Sequence, residues 1–317
     1  MKKFLCLFFG LLALLPMAHG QGKIFPERAV KIFVPFTAGS GSDTFARYFA
    51  EQLSKTFGHP FIVENRPGAS GVLAVMAMMS EPPDGHAILL ASNSPIAVNP
   101  IVIKGLPYDP IKDLRPIYGI HRSMNALIVP PNSKIKTIAD LVATSKVRRL
   151  SVGTYSAGYL LAIEWFASMT GAKVTSVSYK GGAQVFNDIM GGHLDFAIVD
   201  MGGVASLVKN GSVRAIAVSG ESRYLGAPDV PTIKESYPDY VNYSWTSFYA
   251  RSNTPDDITG KLVAAMQKAI TTPEAKNFVE KYGAELMPYP PDVMRDFQRS
   301  ELERFRRIAA AAGIEAQ

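Results

Sequence analysis

Hydroxyl side chains, glycines and one acid gather in the stretch Thr37-Ala38-Gly39-Ser40-Gly41-Ser42-Asp43, and hydroxyls gather again in Thr154-Tyr155-Ser156-Ala157-Gly158. Both stretches have little bulk, and each leads into a run of helix-forming residues. A loop of this kind turns backbone N–H groups and the positive end of a helix dipole outward, which suits an anion such as a carboxylate or phosphate. Taken alone, the first stretch reads equally well as an ordinary strand-to-helix turn with Ser42 or Asp43 as N-cap. The second invites a nucleophile, because Ser156 stands where a G-x-S-x-G elbow would place its serine. Thr154, however, replaces the elbow's first glycine, and Gly153 falls one position early. The later histidine, His193, borders a Gly-Gly helix stop, and no acid follows a strand at a suitable place between them.

Other chemistry is thinner still. After the first twenty residues the histidines are His59, His86, His121 and His193, none at ligand spacing with another donor, so no metal site is expected. Neither Gly39-Ser-Gly-Ser42 nor Gly68-Ala-Ser-Gly71 has the Lys-Ser/Thr ending of a P-loop, and neither fits a dinucleotide fingerprint. Lys180, ahead of Gly181 and Gly182, reads as a solvated loop lysine. What remains is recognition without reaction: anion-friendly loops, hydroxyls at Thr37, Ser40, Ser42, Ser92, Ser94, Thr154, Tyr155 and Ser156, and aromatics at Phe36, Tyr159, Tyr179 and Trp245. Two helix ends and several hydrogen bonds bring the expected affinity to about −8 kcal/mol, a micromolar ligand. Gly39→Val is expected to weaken binding by blocking the loop's backbone donors.

The elements that position these residues follow from periodicity. The first twenty residues read as an export segment, with Lys2 and Lys3, an apolar run broken by Gly10 and Pro16, and small residues before a cut near Gly20. The single cysteine, Cys6, lies within it, so the exported chain would hold no disulfide or thiolate. Loss of Lys2 and Lys3 takes the net charge from +6 to +4, without a basic block or aromatic–basic interleaving for nucleic acid. Strands are expected at 31–34, 61–64 and 86–91, alternating with helices whose first carries Phe45, Phe49, Leu53 and Phe57 on one face. Ser92-Asn93-Ser94-Pro95 reads as a polar exit loop, and 105–117 as a surface loop. A strand at 126–129 and a helix capped by Thr137 lead into a second βαβ series, with strands at 150–153, 174–179, 194–199 and 213–219. A strand at 245–250 precedes three helices, the first opened by Thr254 as cap and Pro255 at N1.

This pattern predicts an α/β fold of two lobes, each a mostly parallel sheet flanked by helices, with a ligand cleft between them. Lobe 1 is expected to take 21–123 and 245–317, and lobe 2 to take 124–244. The crossings then fall near Ser123 and Ser244.

Several blocks resemble the Bug-type solute receptors of tripartite tricarboxylate transporters. They are Val34-Pro-Phe-Thr-Ala-Gly-Ser-Gly-Ser-Asp43, Val63-Glu-Asn-Arg-Pro-Gly-Ala-Ser-Gly71, Pro83-Asp-Gly85, Leu106-Pro-Tyr-Asp-Pro110, Ser178-Tyr-Lys-Gly-Gly-Ala183 and Pro228-Asp-Val-Pro-Thr232. The resemblance implies a periplasmic, non-enzymatic, cofactor-free monomer that closes on a mono- or dicarboxylate, sometimes an amino acid or aromatic acid. It also implies delivery of that ligand to a two-subunit inner-membrane transporter. By matching position, Phe36, Thr37, Ala38, Gly39, Ser40, Ser42 and Asp43 would grip one carboxylate, with Ser92 and Ser94 lining the same lobe. Thr154, Tyr155, Ser156 and Tyr159 would hold the far end, near Tyr179, with Asp200 at the back. The chain departs from the family at Ser40, usually glycine, and in the second loop, which lacks a histidine and gains Tyr155 and Tyr159. An aromatic or less charged far end is expected from that change. A serine hydrolase using Ser156, and a sensory receptor presenting its ligand to a signalling partner, stand as alternatives.

Overall fold

The computed structural model describes residues 25–316. The expected export segment, residues 1–20 with Cys6, lies outside the described residues. The chain begins with β1 (Val30–Val34), α1 (Gly41–Phe57), β2 (Phe61–Asn65), α2 (Val72–Met79) and β3 (Ala87–Ser92). Phe45, Ala46, Phe49, Ala50 and Leu53 bury one face of α1, as their four-residue spacing requires. Gly58, at φ +70°, ends the helix in the left-handed region. The N-cap is Ser40, not Ser42 or Asp43: Gly39 turns the chain at φ +81°, and the Ser40 hydroxyl accepts from Asp43 N–H at 3.2 Å. Asp43 therefore sits inside the first turn.

Ser92 to Pro95 is no loop. The end of β3 passes directly into a π-helical turn (Ser94–Val98) and α3 (Asn99–Val102), all of the turn's residues being buried. The surface loop also ends earlier than its sequence suggests, because β4 (Leu114–Val129) is a single strand of 16 residues. α4 (Ile138–Val147), β5 (Leu150–Thr154), α5 (Ala157–Thr170), β6 (Val174–Ser178), α6 (Gly182–Met190), β7 (Phe196–Asp200), α7 (Met201–Lys209) and β8 (Arg214–Val218) follow. The chain returns through β9 (Tyr243–Arg251) to α8 (Asp256–Ile270), α9 (Pro273–Lys281), a short strand β10 (Ala284–Leu286) that periodicity does not reveal, and α10 (Pro291–Ala311). Thr254 does not cap α8; Pro255 occupies the N-cap position, without a side-chain hydrogen bond.

The two-lobed α/β plan stands, but the sheets are mixed rather than mostly parallel. In the first lobe β2, β1 and β3 pair parallel, while β3–β9, β9–β4 and β4–β10 are antiparallel. In the second, β5 pairs parallel with β6 and β7, while β7 and β8 run antiparallel to β4. β4 belongs to both: it pairs with β9 up to Met124 and with β7 from Asn125 onward. The lobes are thus joined by a continuous strand. α8 packs on α1, α9 on β10, and α10 on β4 and across to α5. Ala157 and Leu161 of α5 join an apolar cluster with Ile96, Ala97 and Trp245, so the two lobes touch through packed side chains.

Candidate functional site

The carboxyl ends of β1, β3, β5 and β7 converge where the lobes meet, the usual ligand position in open α/β sheets. They enclose a cavity of about 20 Å³, roughly the room one water needs. The first lobe contributes Phe36, Gly41 and Ser42 after β1, and Ser92 at the end of β3 with Asn93 and Ser94 after it. The second contributes Ser156, Tyr159 and Asp200, and the floor is made by His121, Ser123, Ser244, Trp245 and Thr246.

The floor is a consequence of strand register. His121 stands opposite Thr246 and Ser123 opposite Ser244 on the antiparallel pair β4–β9, so alternate residues of both strands share one face. A register shift between Gly119 and His121 marks a bulge immediately before them, a device that re-aims side chains beside sites. His121 Nδ1 pairs with Thr246 Oγ1 at 2.9 Å, and its ring stacks on Phe45 with centroids 3.6 Å apart. Burial lowers its pKa to about 3, so the imidazole is neutral at ordinary pH.

Asp200 caps α7 and reaches the cavity. Its Oδ1 accepts from Gly203 N–H at 2.8 Å; its Oδ2 accepts from Tyr159 and Tyr155 hydroxyls at 3.0 and 3.2 Å. Burial raises its pKa, and these three donors only partly offset that. The same carboxylate helps push both tyrosine hydroxyls upward, beyond what burial alone does. A Cβ on Gly41 would stand 2.9 Å from Asp200 Oδ1, so glycine at the start of α1 lets the opposite lobe's acid approach.

The N-terminus of α5 is satisfied across the cleft. Ala157 N–H donates to Ser70 Oγ at 3.0 Å, and Gly158 N–H to Ser94 Oγ at 3.1 Å. Ser94 Oγ also donates to Ser156 Oγ at 3.0 Å, while Ser156 caps α5 through Tyr159 N–H. Ser70 is held at φ +52°, uncommon outside glycine, with its carbonyl fixed by Asn99 Nδ2. Phe36 meets Tyr155 edge-on at 5.7 Å, and Thr37 packs on the backbone of Gly181.

The sequence-derived candidates divide into three groups. Phe36, Ser42, Ser92, Ser94, Ser156, Tyr159 and Asp200 line the cavity. Thr154, Tyr155, Ser156 and Tyr179 line a second space, a groove of about 1010 Å³ that opens outward between residues 67–71 and α5. Thr37, Ala38, Gly39, Ser40 and Asp43 line neither. Ala38 and Gly39 are exposed. Gly39 N–H donates to Asp43 Oδ2 at 2.9 Å, and a Cβ there would meet open space, so a Gly39→Val change acts through its φ of +81°, not by obstruction. Asp43 is 3 % exposed; burial would raise its pKa, but Arg47, Gly39 N–H and Asn65 outweigh that and hold it low. It organises the loop from within. Tyr179 donates to Asp188 at 2.5 Å at the groove's edge. Sequence reasoning misses Asn93, His121, Ser123, Ser244 and Thr246 as site residues. For four of them the signal is alternation, His121-x-Ser123 on β4, hidden when the start of β4 reads as loop, and Ser244-x-Thr246 on β9; Asn93 carries none. Ser70 carries no such signal.

A two-lobed α/β protein with a cavity at strand carboxyl ends and a continuous strand between its lobes has the architecture of a periplasmic binding protein. The family described as "Tripartite tricarboxylate transporter family receptor" matches residues 45–314, and the chain belongs to it. A UPF0065 protein of Bordetella bronchiseptica is 33% identical over 303 residues, covering 95% of this chain and 90% of that protein. Protein BugT of Bordetella pertussis is 29% identical, covering 91% and 90%. Among solved structures, R. palustris Rpa4515 with adipate has a TM-score of 0.89 at 30% identity, covering 92% of this chain and 100% of that one. The periplasmic binding protein BugD has a TM-score of 0.88 at 26% identity, with the same coverage. No helix among the described residues is long and apolar enough to cross a membrane.

Proposed function

We propose that this receptor works in the periplasm, as a monomer without enzymatic activity, and captures a small organic anion through a carboxylate. It would hand that ligand to a two-subunit inner-membrane transporter. The observation that carries the reading is the small cavity at the strand ends, lined by side chains such as Ser92, Ser94, Ser156 and Asp200 and walled by both lobes. Adipate in the related Rpa4515 supports a carboxylate as ligand. Lobe 1 would comprise 21–123 and 245–317 and lobe 2 124–244, a division supported by β4 changing sheets after Met124.

In this reading Ser42, Ser92, Ser94 and the start of α1 receive the carboxylate, and Ser156, Tyr159 and Asp200 close over the remainder. Phe36 and Tyr155 act as an aromatic gate, with Thr154 and Tyr179 at the approach. Thr37, Ala38, Gly39, Ser40 and Asp43 shape the loop that presents the helix end. At 20 Å³ the cavity admits no organic acid unless the lobes part, so capture is an opening and closing of the β4–β9 hinge. A hydrolase reading lacks support: Ser156 Oγ bonds Ser94 and Tyr159 N–H, while His121 bonds Thr246.

A thermal-shift panel of small carboxylates tests the proposal. Saturable stabilisation without turnover is expected; ester hydrolysis abolished by Ser156→Ala would overturn it.

A further inference from the structure

The β4–β9 hinge of the receptor reading, on which this step rests, is tied to a wall of the cavity through α10. The strand segments at the hinge meet in a buried polar knot. Asn125, the first residue of β4 to pair with β7, donates its N–H to Ser219 Oγ at 2.7 Å, and its carbonyl accepts from Ser219 N–H at 2.8 Å. The Ser219 carbonyl accepts from Asn242 N–H at 2.9 Å, and Ser244 Oγ donates to Asn125 Oδ1 at 2.8 Å. Asn125, Ser219 and Asn242 are each 4 % exposed or less. A rotation of β4 at Asn125 is therefore passed to the chain entering β9.

The helix α10 grips this knot. Arg304 Nη2 donates to Val241 O at 3.3 Å and to Asn242 Oδ1 at 3.2 Å, just before β9 begins. One turn earlier on the same helix face, buried Glu301 has both oxygens engaged. Its Oε1 pairs with Arg304 Nε at 3.3 Å, and its Oε2 accepts from Trp245 Nε1 at 2.9 Å. Trp245 is 1 % exposed and lines the cavity. Cavity wall and hinge thus share one carboxylate, and groups within one buried network are energetically coupled. Arg304 Nη1 is buried without a partner among the described residues, which leaves the guanidinium a free donor as the hinge turns.

We propose that Glu301 and Arg304 are positioning residues for capture. Through them the Trp245 indole and the chain at Asn242 move together, and the pair holds the hinge at its closed angle.

The test is spectroscopic. The chain has two tryptophans, so Trp165→Phe leaves Trp245 as the only indole. In that background Arg304→Met should shift Trp245 emission to the red and enlarge the radius of gyration of the unliganded protein, although the partners of Arg304 are Glu301 and the hinge. Glu301→Ala should do both, and adding Arg304→Met to it should move the emission no further. Arg304→Lys keeps a charge beside Glu301 but not the fork that grips Asn242. It should shift both readings in the same direction by less, and it decides the matter if Arg304→Met does not fold. Affinity for adipate, read by Trp245 fluorescence, should fall about tenfold or more in Arg304→Met, as a smaller closed population requires. Emission unmoved by Arg304→Met, a radius unchanged in both Arg304→Met and Glu301→Ala, or an unchanged adipate affinity overturns the coupling and leaves the receptor reading standing. Failure of every carboxylate in the thermal-shift panel to bind the wild type contradicts the receptor reading instead, and the coupling is then decided by emission and radius.

Discussion

His121 couples the cavity floor to the stability of the fold. Its pKa is lowered to about 3 from 6.5 by burial between β4 and β9, against Phe45. As pH falls below about 6.5, the unfolded chain takes up a proton that the folded imidazole refuses until about 3. Stability is therefore full above the upper limit and declines through that window by up to ~1.4 kcal/mol per pH unit. Urea denaturation at several pH values should show a steeper acid loss for the wild type than for His121→Gln; equal slopes would remove this assignment. Asp43 makes a comparable point about the loop. It is buried and binds Gly39 N–H, Asn65 Nδ2 and Arg47 at once. Asp43→Ala should cost roughly 1–3 kcal/mol, because Gly39 N–H and Asn65 Nδ2 lose the buried acceptor that ties the loop to α1. A loss below experimental error in the same denaturation assay would contradict its role as the loop's internal brace.

At the level of elements, the seam between the lobes depends on glycine. A Cβ on Gly158 would lie 2.7 Å from Ser94 Oγ, in the second position of α5, where the lobes hydrogen-bond. Gly158→Ala should obstruct closure and weaken ligand affinity about tenfold or more, while α5 itself gains helix propensity. Titration against the wild type checks this, and undiminished affinity would show that the seam is not part of capture. Much of this level is legible in the chain: α1 declares itself by its phenylalanine spacing, and Gly58 and Gly171 mark helix ends. β4 does not, because Pro116 and Gly119 interrupt its first half and its pairing there is bulged. Its polar residues therefore resemble loop, and the cavity floor goes unread. The antiparallel pairs are likewise hidden, since they join strands far apart in sequence. Asp43 is legible as part of the helix start but not in its position, because Gly39 and Ser40 begin the turn earlier than Ser42 suggests.

For the whole molecule, capture requires a change in shape. Cross-cleft contacts from Ser70, Ser94, Thr37 and Phe36 hold the lobes together around a space of about 20 Å³. Opening must break these few hydrogen bonds and separate Ala157 and Leu161 from the first lobe's core. Small-angle scattering should give Gly158→Ala a larger radius of gyration than the wild type saturated with ligand. Identical radii would argue against a closed, seam-dependent state. Capture of an organic anion in this cavity is tested most directly by isothermal titration of the purified protein with a panel of small carboxylates, amino acids included. At least one should bind one-to-one with a micromolar or tighter Kd, and Gly158→Ala should weaken it. A panel in which no carboxylate binds would contradict capture of an organic anion by this cavity.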